Sequence, residues 1–510
     1  LETAVPFRAW RYAPQAGDLT SLVAPPYDVI GPDLQSRLYA AGPHNVVRVD
    51  LGITTPSDTP CDDRYTRAAA QLAEWKERGV LVRDPEPSIT FVEESFTGPD
   101  GRPCERHGFL AAMRLYDFDE GVVYPHEQTL SGPKEDRYRL MATTAMSLSP
   151  VFLLYDLPGD EITAAWRAGV GSKDPAADIV DEMGTATKLW PTSDPDLLDT
   201  IRKSLENARF IIADGHHRYE TALRYRDQRR AEEAAEGGAG GRAGRGGPRA
   251  GVKEGPEGPP PQGPAPPSTP AYDYALAYFS NMADSGMAIY STHRLVTGLA
   301  PELVAALPRT LSGTFEVERL TGGEEPAREA AGGNTGATPS IAAAAGPAAA
   351  PPGAAAAEAA VTAYLAKHPR RAFGLWGPGF EAAYGLKLTD AAAARTTESG
   401  RSAAYRELDV TILQSQVLGK ALGIGAADMA AERYVTFFKD QKEAFARLEA
   451  GDFQVGFFMN PTGLDQIREA AFSGERMPQK ATFFYPKLPT GLVFHELEGS
   501  LWPIRHRRRR

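Results

Sequence analysis

Apolar positions along this chain recur with two periods, and the switches between them outline its elements. Tyr65, Ala69, Leu72 and Trp75 fall at helical spacing and stop at Gly79, which predicts a helix closed by a glycine C-cap. Val80–Asp84 (VLVRD) and Ile89–Phe96 (ITFVEESF) then read as strands. Gly108–Phe118 (GFLAAMRLYDF) reads as a strand that loses regularity toward its end. Ala208–Asp214 (ARFIIAD) is a short apolar run, and the following GHHRYETALRYRDQRR has helix-forming composition, so the pair predicts a strand–turn–helix unit. Further on, Val361–Ala366 reads as helix and Ala372–Gly377 (AFGLWG) as strand. Val410, Leu413, Val417, Leu418 and Leu422 form one apolar helical face. Asp452–Pro461 (DFQVGFFMNP) is a strand that meets the turn NPTG and a short helix. The class is α/β or mixed α+β; periodicity alone does not order the sheet.

Glycine and proline divide this pattern. Residues 237–270 hold 11 Gly and 9 Pro in 34 positions, too little apolar surface to offset the entropy of ordering, which predicts a disordered insertion. Residues 321–358 hold 15 Ala, 7 Gly and 5 Pro in 38 positions. Their alanine runs are interrupted too often for a stable helix to be expected. The chain therefore divides into an N-terminal segment (residues 1–236), the first insertion (237–270), a continuation of the core (271–320), a second low-complexity insertion (321–358), a C-terminal α/β segment (359–504) and a basic tail (505–510). Neither insertion breaks a motif, so both are expected to loop out of the architecture.

The 510 residues carry a formal charge of −11, and the tail RHRRRR contributes +5, leaving −16 on the remainder. That balance argues against nucleic-acid binding. No apolar run approaches the roughly 20 residues of a membrane span, and no secretory leader pattern opens the chain. Cys61 and Cys104 are too few for a disulfide framework, which points to a reducing cytoplasm. No motif indicates an oligomeric state.

The densest polar cluster is Asp214-Gly215-His216-His217-Arg218, where an apolar strand gives way to a helix. Unpaired N–H groups at a helix start bind phosphate, Gly215 allows close approach, and Arg218 can clamp phosphate oxygens. A second cluster joins His126 and Glu127, a general base or metal ligand, to Lys134 and Arg137, which suit anions. Pro25 and Pro26 rigidify the approach to a carboxylate, Asp28. Near the C-terminus Lys480 and Lys487 flank an aromatic run and, with Asn460, are possible substrate contacts; a strand with snorkelling lysines and a plain turn explain them equally. The P-loop, the G-x-G-x-x-G turn, H-E-x-x-H and G-x-S-x-G are all missing.

Taken together, APPYDVI, EWKERGVL, HEQT with KEDR, IADGHHRYETAL, STHRLV, LDVTILQ, FFMNPT and MPQKATFFYPKLPTGL resemble the domain of unknown function 1015 family (DUF1015), in the family's order and nearly end to end. The DGHHR string also resembles the phosphate-binding box of ParB/sulfiredoxin-like proteins, among which are free-serine kinases. The resemblance implies a ParB/sulfiredoxin-like nucleotide-binding portion joined to a further α/β portion. It also implies transfer of phosphate from ATP or ADP, with Mg²⁺, to the hydroxyl of L-serine. Only Asp214, Gly215, His216, His217 and Arg218 carry over by position. Asp28 and Glu127 are candidates for the base on chemical grounds, and His126 and His217 for orienting substrate or phosphate. Two other readings compete. One is a metal-dependent hydrolase with Asp214, His216, His217, His126 and Glu127 as ligands. The other is a non-catalytic nucleotide-binding module.

Overall fold

The computed structural model describes residues 2–129, 131–240, 269–321, 352–394 and 400–501. Most of both biased insertions and the basic tail 505–510 lie outside these residues. The chain forms two compact units, residues 1–288 with 484–510, and residues 289–483. The division therefore falls inside the segment 271–320 that the sequence pattern treats as continuous.

The first unit is built on a nine-stranded sheet. Its strands are β1 (Ala4–Val5), β2 (Ile89–Thr97), β3 (Pro103–Arg114), β4 (Val123–Pro125), β5 (Val151–Tyr155), β6 (Ala177–Val180), β7 (Ala186–Thr192), β8 (Phe210–Asp214) and β9 (Tyr274–Asn281). They lie in the order β4-β8-β5-β9-β3-β2-β7-β6, with β1 added beside β3. Most neighbours are antiparallel, but β4 runs parallel to β8 and β5 runs parallel to β9. Side chains from β2, β3, β5, β8 and β9, including Phe91, Phe109, Leu153, Phe210 and Phe279, form the main core with Trp166 and Tyr219. A second cluster gathers around Trp75, Leu72, Val47 and Phe494.

Three helices of this unit bear on the site: α1 (Arg64–Glu77), α2 (Ser131–Thr144) and α3 (His216–Gly240). Asp63 caps α1, accepting from the Tyr65 and Thr66 N–H groups, and Gly79 takes φ +70° just beyond its end, as the sequence pattern anticipates. Within α1 it is Ala68, not Ala69, that is buried with Tyr65, Leu72 and Trp75. Helix α3 continues past residue 236 to Gly240, so the first insertion starts later than its glycine content suggests. At its far edge Thr269–Pro270 pairs with Ser500–Leu501.

The second unit holds a six-stranded antiparallel sheet of β10 (His293–Val296), β11 (Phe315–Arg319), β12 (Ala372–Trp376), β13 (Tyr384–Leu388), β14 (Val435–Phe438) and β15 (Val455–Met459), in the order β11-β13-β12-β15-β10-β14. Helix α4 spans Ala354–Lys367 and buries Val361, Tyr364 and Leu365. Its first turn is the GAAAA run, contrary to the expectation of no stable helix there. Gly353 supplies an extended N-cap, alanine is the best helix former, and the buried face downstream holds the turn in place. The apolar face from Val410 to Leu422 is buried, but Leu413–Ala421 is wound as a π-helix. Among the described residues, no helix is long and apolar enough to cross a membrane.

Candidate functional site

The parallel pairing of β4 and β8 brings the two strongest motifs together, because both strands end at the same edge. Ile212 lies opposite Pro125, so His126 leaves β4 where Asp214 leaves β8. The register of β8 against β5 slips between Ile212 and Asp214, a bulge of the kind that re-aims side chains beside functional sites. Gly215 follows with φ +88°, and a Cβ there would sit 2.8 Å from Arg218 Nε. Glycine is therefore favoured by the conformation, and any side chain here would have to displace the Arg218 guanidinium. Helix α3 begins at His216, so its positive end lies at this edge.

Four charged groups meet here. The ammonium of Lys487 donates to Asp28 Oδ2 at 2.9 Å and to Asp214 Oδ1. The guanidinium of Arg218 donates to Asp214 Oδ2 and to the Pro150 carbonyl at the start of β5. Burial opposes ionisation of Asp214, but Lys487 and Arg218 prevail and hold its carboxyl at about 2. Burial likewise opposes the charge on Lys487, and Asp214 and Asp28 outweigh it, raising the ammonium above the ordinary lysine range. Lys487 is thus not a snorkelling surface lysine; its side chain is 11% exposed and bridges two carboxylates. The Nε of Arg218 is buried with no hydrogen-bond partner among the described residues, leaving one donor unused beside the Gly215 turn.

His126 is fully buried, and its Nδ1 contacts the Ile212 carbonyl. Desolvation lowers its pKa to about 4, so the ring is neutral at pH 7. Its backbone N–H points to His216 Nε2 at 3.3 Å, and the two rings meet edge to face at 4.7 Å. Burial also lowers His217, against the pull of Glu220. Lys134 contacts Glu220 at 2.5 Å, and Thr129 donates to the same carboxylate at 2.9 Å. Glu127 is half-buried beside His126.

Arg137, expected as an anion contact, is instead buried between two carboxylates. It bonds Asp50 at 3.0 Å and Asp136 at 2.6 Å, and lies 4.1 Å over the Tyr27 ring. Its effect is to hold Tyr27, the neighbour of Asp28, in place. Asn460 and Lys480 belong to the second unit. The Asn460 amide donates to the Leu365 and His368 carbonyls at the end of α4, a helix-capping role. The carbonyl of Lys480 accepts from Arg294 at 3.0 Å. The donors of the metal-hydrolase reading do not converge on one point: Asp214 is held by two cations and His126 Nδ1 faces a carbonyl.

One supporting pair escapes a motif search. Arg106 on β3 and Glu94 on β2 are both completely buried and joined by two bonds of 2.9 and 2.6 Å. Arg106 also donates to the carbonyls of Tyr485 and Pro486, at 3.2 and 2.6 Å, fixing the segment that delivers Lys487. Opposite charges at alternating positions of two adjacent apolar strands are the only sign of it in the sequence.

The family described as "Protein of unknown function (DUF1015)" matches residues 4–411. No curated protein matches the chain. Among solved structures, a free serine kinase in complex with AMP is 12% identical, with a TM-score of 0.31 over 72% of this chain and 85% of its own. A conserved hypothetical protein from Pyrococcus furiosus is 13% identical, with a TM-score of 0.31 over 72% of this chain and 89% of its own. SbnI with a C-terminal truncation, from Staphylococcus aureus, is 8% identical, with a TM-score of 0.29 over 75% and 85%. At such scores these likenesses say nothing about chemistry.

Proposed function

Because the chain belongs to the DUF1015 family, whose members are described as proteins of unknown function, we propose its activity from the site itself: a nucleotide-dependent phosphotransferase whose acceptor is the hydroxyl of free L-serine. The observation that carries this reading is the buried Arg218, held by Asp214 and Pro150, with an unused Nε donor beside a glycine turn at a helix start. Helix-start N–H groups of His216 and His217 and the Arg218 guanidinium supply donors for a phosphate.

Phosphoryl transfer asks mainly for positioning and charge neutralisation. The serine Oγ forms the new bond to the terminal phosphorus as the bond to the nucleotide's bridging oxygen breaks. Asp28, partly exposed and tethered by Lys487, takes the hydroxyl proton. Neutral His126 packs against His216 at the same edge. The oxygen donor Glu127 would suit Mg²⁺, which would supply charge neutralisation when bound with the nucleotide.

The full chain incubated with Mg²⁺, L-serine and either ATP or ADP should form O-phosphoserine, read by phosphorus NMR. Arg218→Ala should weaken nucleotide binding about tenfold or more in calorimetry. Intact nucleotide binding with no phosphoserine would rule out serine as the acceptor. An Arg218→Ala variant with unchanged affinity would remove the phosphate role altogether.

A further inference from the structure

Strand alternation separates the charged residues of β2 and β3 onto two faces. Glu94 and Arg106 turn to one face and form the buried pair described above, while Glu93, Glu105 and His107 share the other. Glu93 and His107 are directly opposite in the antiparallel register, and Glu105 lies two residues before His107 on the same strand. One ligand atom from each of the three falls within 4.8 Å of the others. Among the described residues, this is the one group of three histidine, cysteine or carboxylate side chains that converges so closely.

His107 is 5% exposed and held from behind. Its Nδ1 and its backbone N–H both contact Asp284 Oδ2 at 3.2 Å, and its carbonyl accepts from Ser280 at 2.7 Å. Asp284 is itself fixed by the Gly286 N–H at 2.8 Å. With Nδ1 turned to Asp284, Nε2 faces outward, 3.1 Å from Glu105 Oε1 and 3.7 Å from Glu93 Oε2. These separations bracket the roughly 3.3 Å edge of a tetrahedron with metal–ligand bonds of about 2.0–2.1 Å. A carboxylate on the far nitrogen of a histidine is also the arrangement that orients metal ligands.

We propose that Glu93, Glu105 and His107 bind one divalent transition-metal ion, with Zn²⁺ the best match to one imidazole and two carboxylates, and that Asp284 is the positioning residue. This site is separate from the Asp214 cluster and does not rest on the kinase reading. Two cations now lie against it. Lys188 contacts Glu93 at 3.2 Å, and Arg167 lies 3.3 Å from His107 Nε2 and 3.8 Å from Glu105. Both are side chains at least one-third exposed, and they swing into solvent when the ion binds.

The test is calorimetric titration of Zn²⁺ into the untagged, chelator-treated full chain. The expected result is one ion per chain. Glu105→Gln, at an exposed position that leaves the fold intact, and His107→Ala should each weaken binding at least about tenfold. Asp284→Asn should weaken it about 10–100-fold. Arg167→Gln with Lys188→Gln should tighten binding by removing the competing charges, an outcome a plain ion-pair cluster does not produce. The absence of stoichiometric Zn²⁺ binding would overturn the proposal. So would one equivalent bound with unchanged affinity in both Glu105→Gln and His107→Ala, which would place the ion elsewhere.

Discussion

Replacing Arg106 by methionine tests how the interior of the first unit supports its site. The substitution keeps an unbranched apolar stem but removes two bonds to Glu94 and two to the Tyr485 and Pro486 carbonyls. Breaking a fully buried ion pair from one side costs about 3–5 kcal/mol. Each carbonyl left without a donor adds about 1–3 kcal/mol. Glu94 limits the loss by taking up a proton, and burial already pushes its carboxyl pKa upward. The net expectation is a loss on the order of 5 kcal/mol, a large share of the roughly 5–15 kcal/mol that stabilises a domain. Urea unfolding followed by tryptophan fluorescence measures it. Protonation of Glu94 in the variant means that its deficit should shrink as pH is lowered from 7.5 to 5.5. Combining Arg106→Met with Glu94→Gln should recover about 2 kcal/mol or more relative to additivity. A single-variant loss below about 1 kcal/mol, or strict additivity in the double variant, would refute the inference that the pair is a mutually dependent buried unit.

Gly215→Ala should cost about 1–2 kcal/mol, because φ +88° is strained for alanine; the new Cβ also presses on Arg218, so nucleotide affinity should fall with stability in calorimetry and thermal melts. Asp28→Asn should lower kcat for phosphoserine formation about 10²-fold or more with little change in nucleotide affinity; a normal kcat would transfer the base role to Glu127. His495 is buried with its pKa lowered by desolvation to about 4. The unfolded chain, with a histidine near 6.5, therefore binds the proton first, and stability should fall on acidification from pH 7 toward 4. His495→Gln, which keeps a donor for the Ala271 carbonyl, should remove about 2 kcal/mol of the loss measured between pH 7 and 5. An unchanged pH slope would mean the ring is not held neutral.

The features of this molecule legible in its sequence are those set by neighbours in the chain. Gly79, Asp214 and Gly215 mark element ends because capping and tight turns depend on one or two residues, and β2 and β8 lie where their apolar runs place them, whereas β3 starts at Pro103, ahead of its run, and ends at Arg114. The partner of Asp214 is not legible, since Lys487 lies 273 residues away and is brought to it only by the path of the fold. Arg137 shows the opposite error: its charge suggests an anion site, but Asp50 and Asp136 surround it once α2 packs. The start of α4 is hidden when proline and glycine are counted over a window, whereas the helix begins at one glycine cap and is held by burial downstream. Register decides the rest. Glu93, Glu105 and His107 become a group only when β2 and β3 pair with His107 opposite Glu93.

Lys487 belongs to the short stretch after residue 483 that rejoins the first unit, while residues 289–483 make up the second. On a ribosome, residues 1–288 emerge long before the lysine that neutralises Asp28 and Asp214. A nascent chain therefore carries two carboxylates without their shared ammonium at this edge until residue 487 is made. A fragment ending at residue 483 is left in the same condition, since it keeps Asp214 and Arg218 but loses the bridging lysine. Excising 289–483 and rejoining the flanks is the dissection that preserves all four charged groups, so this site is continuous in space but assembled from parts made at different times.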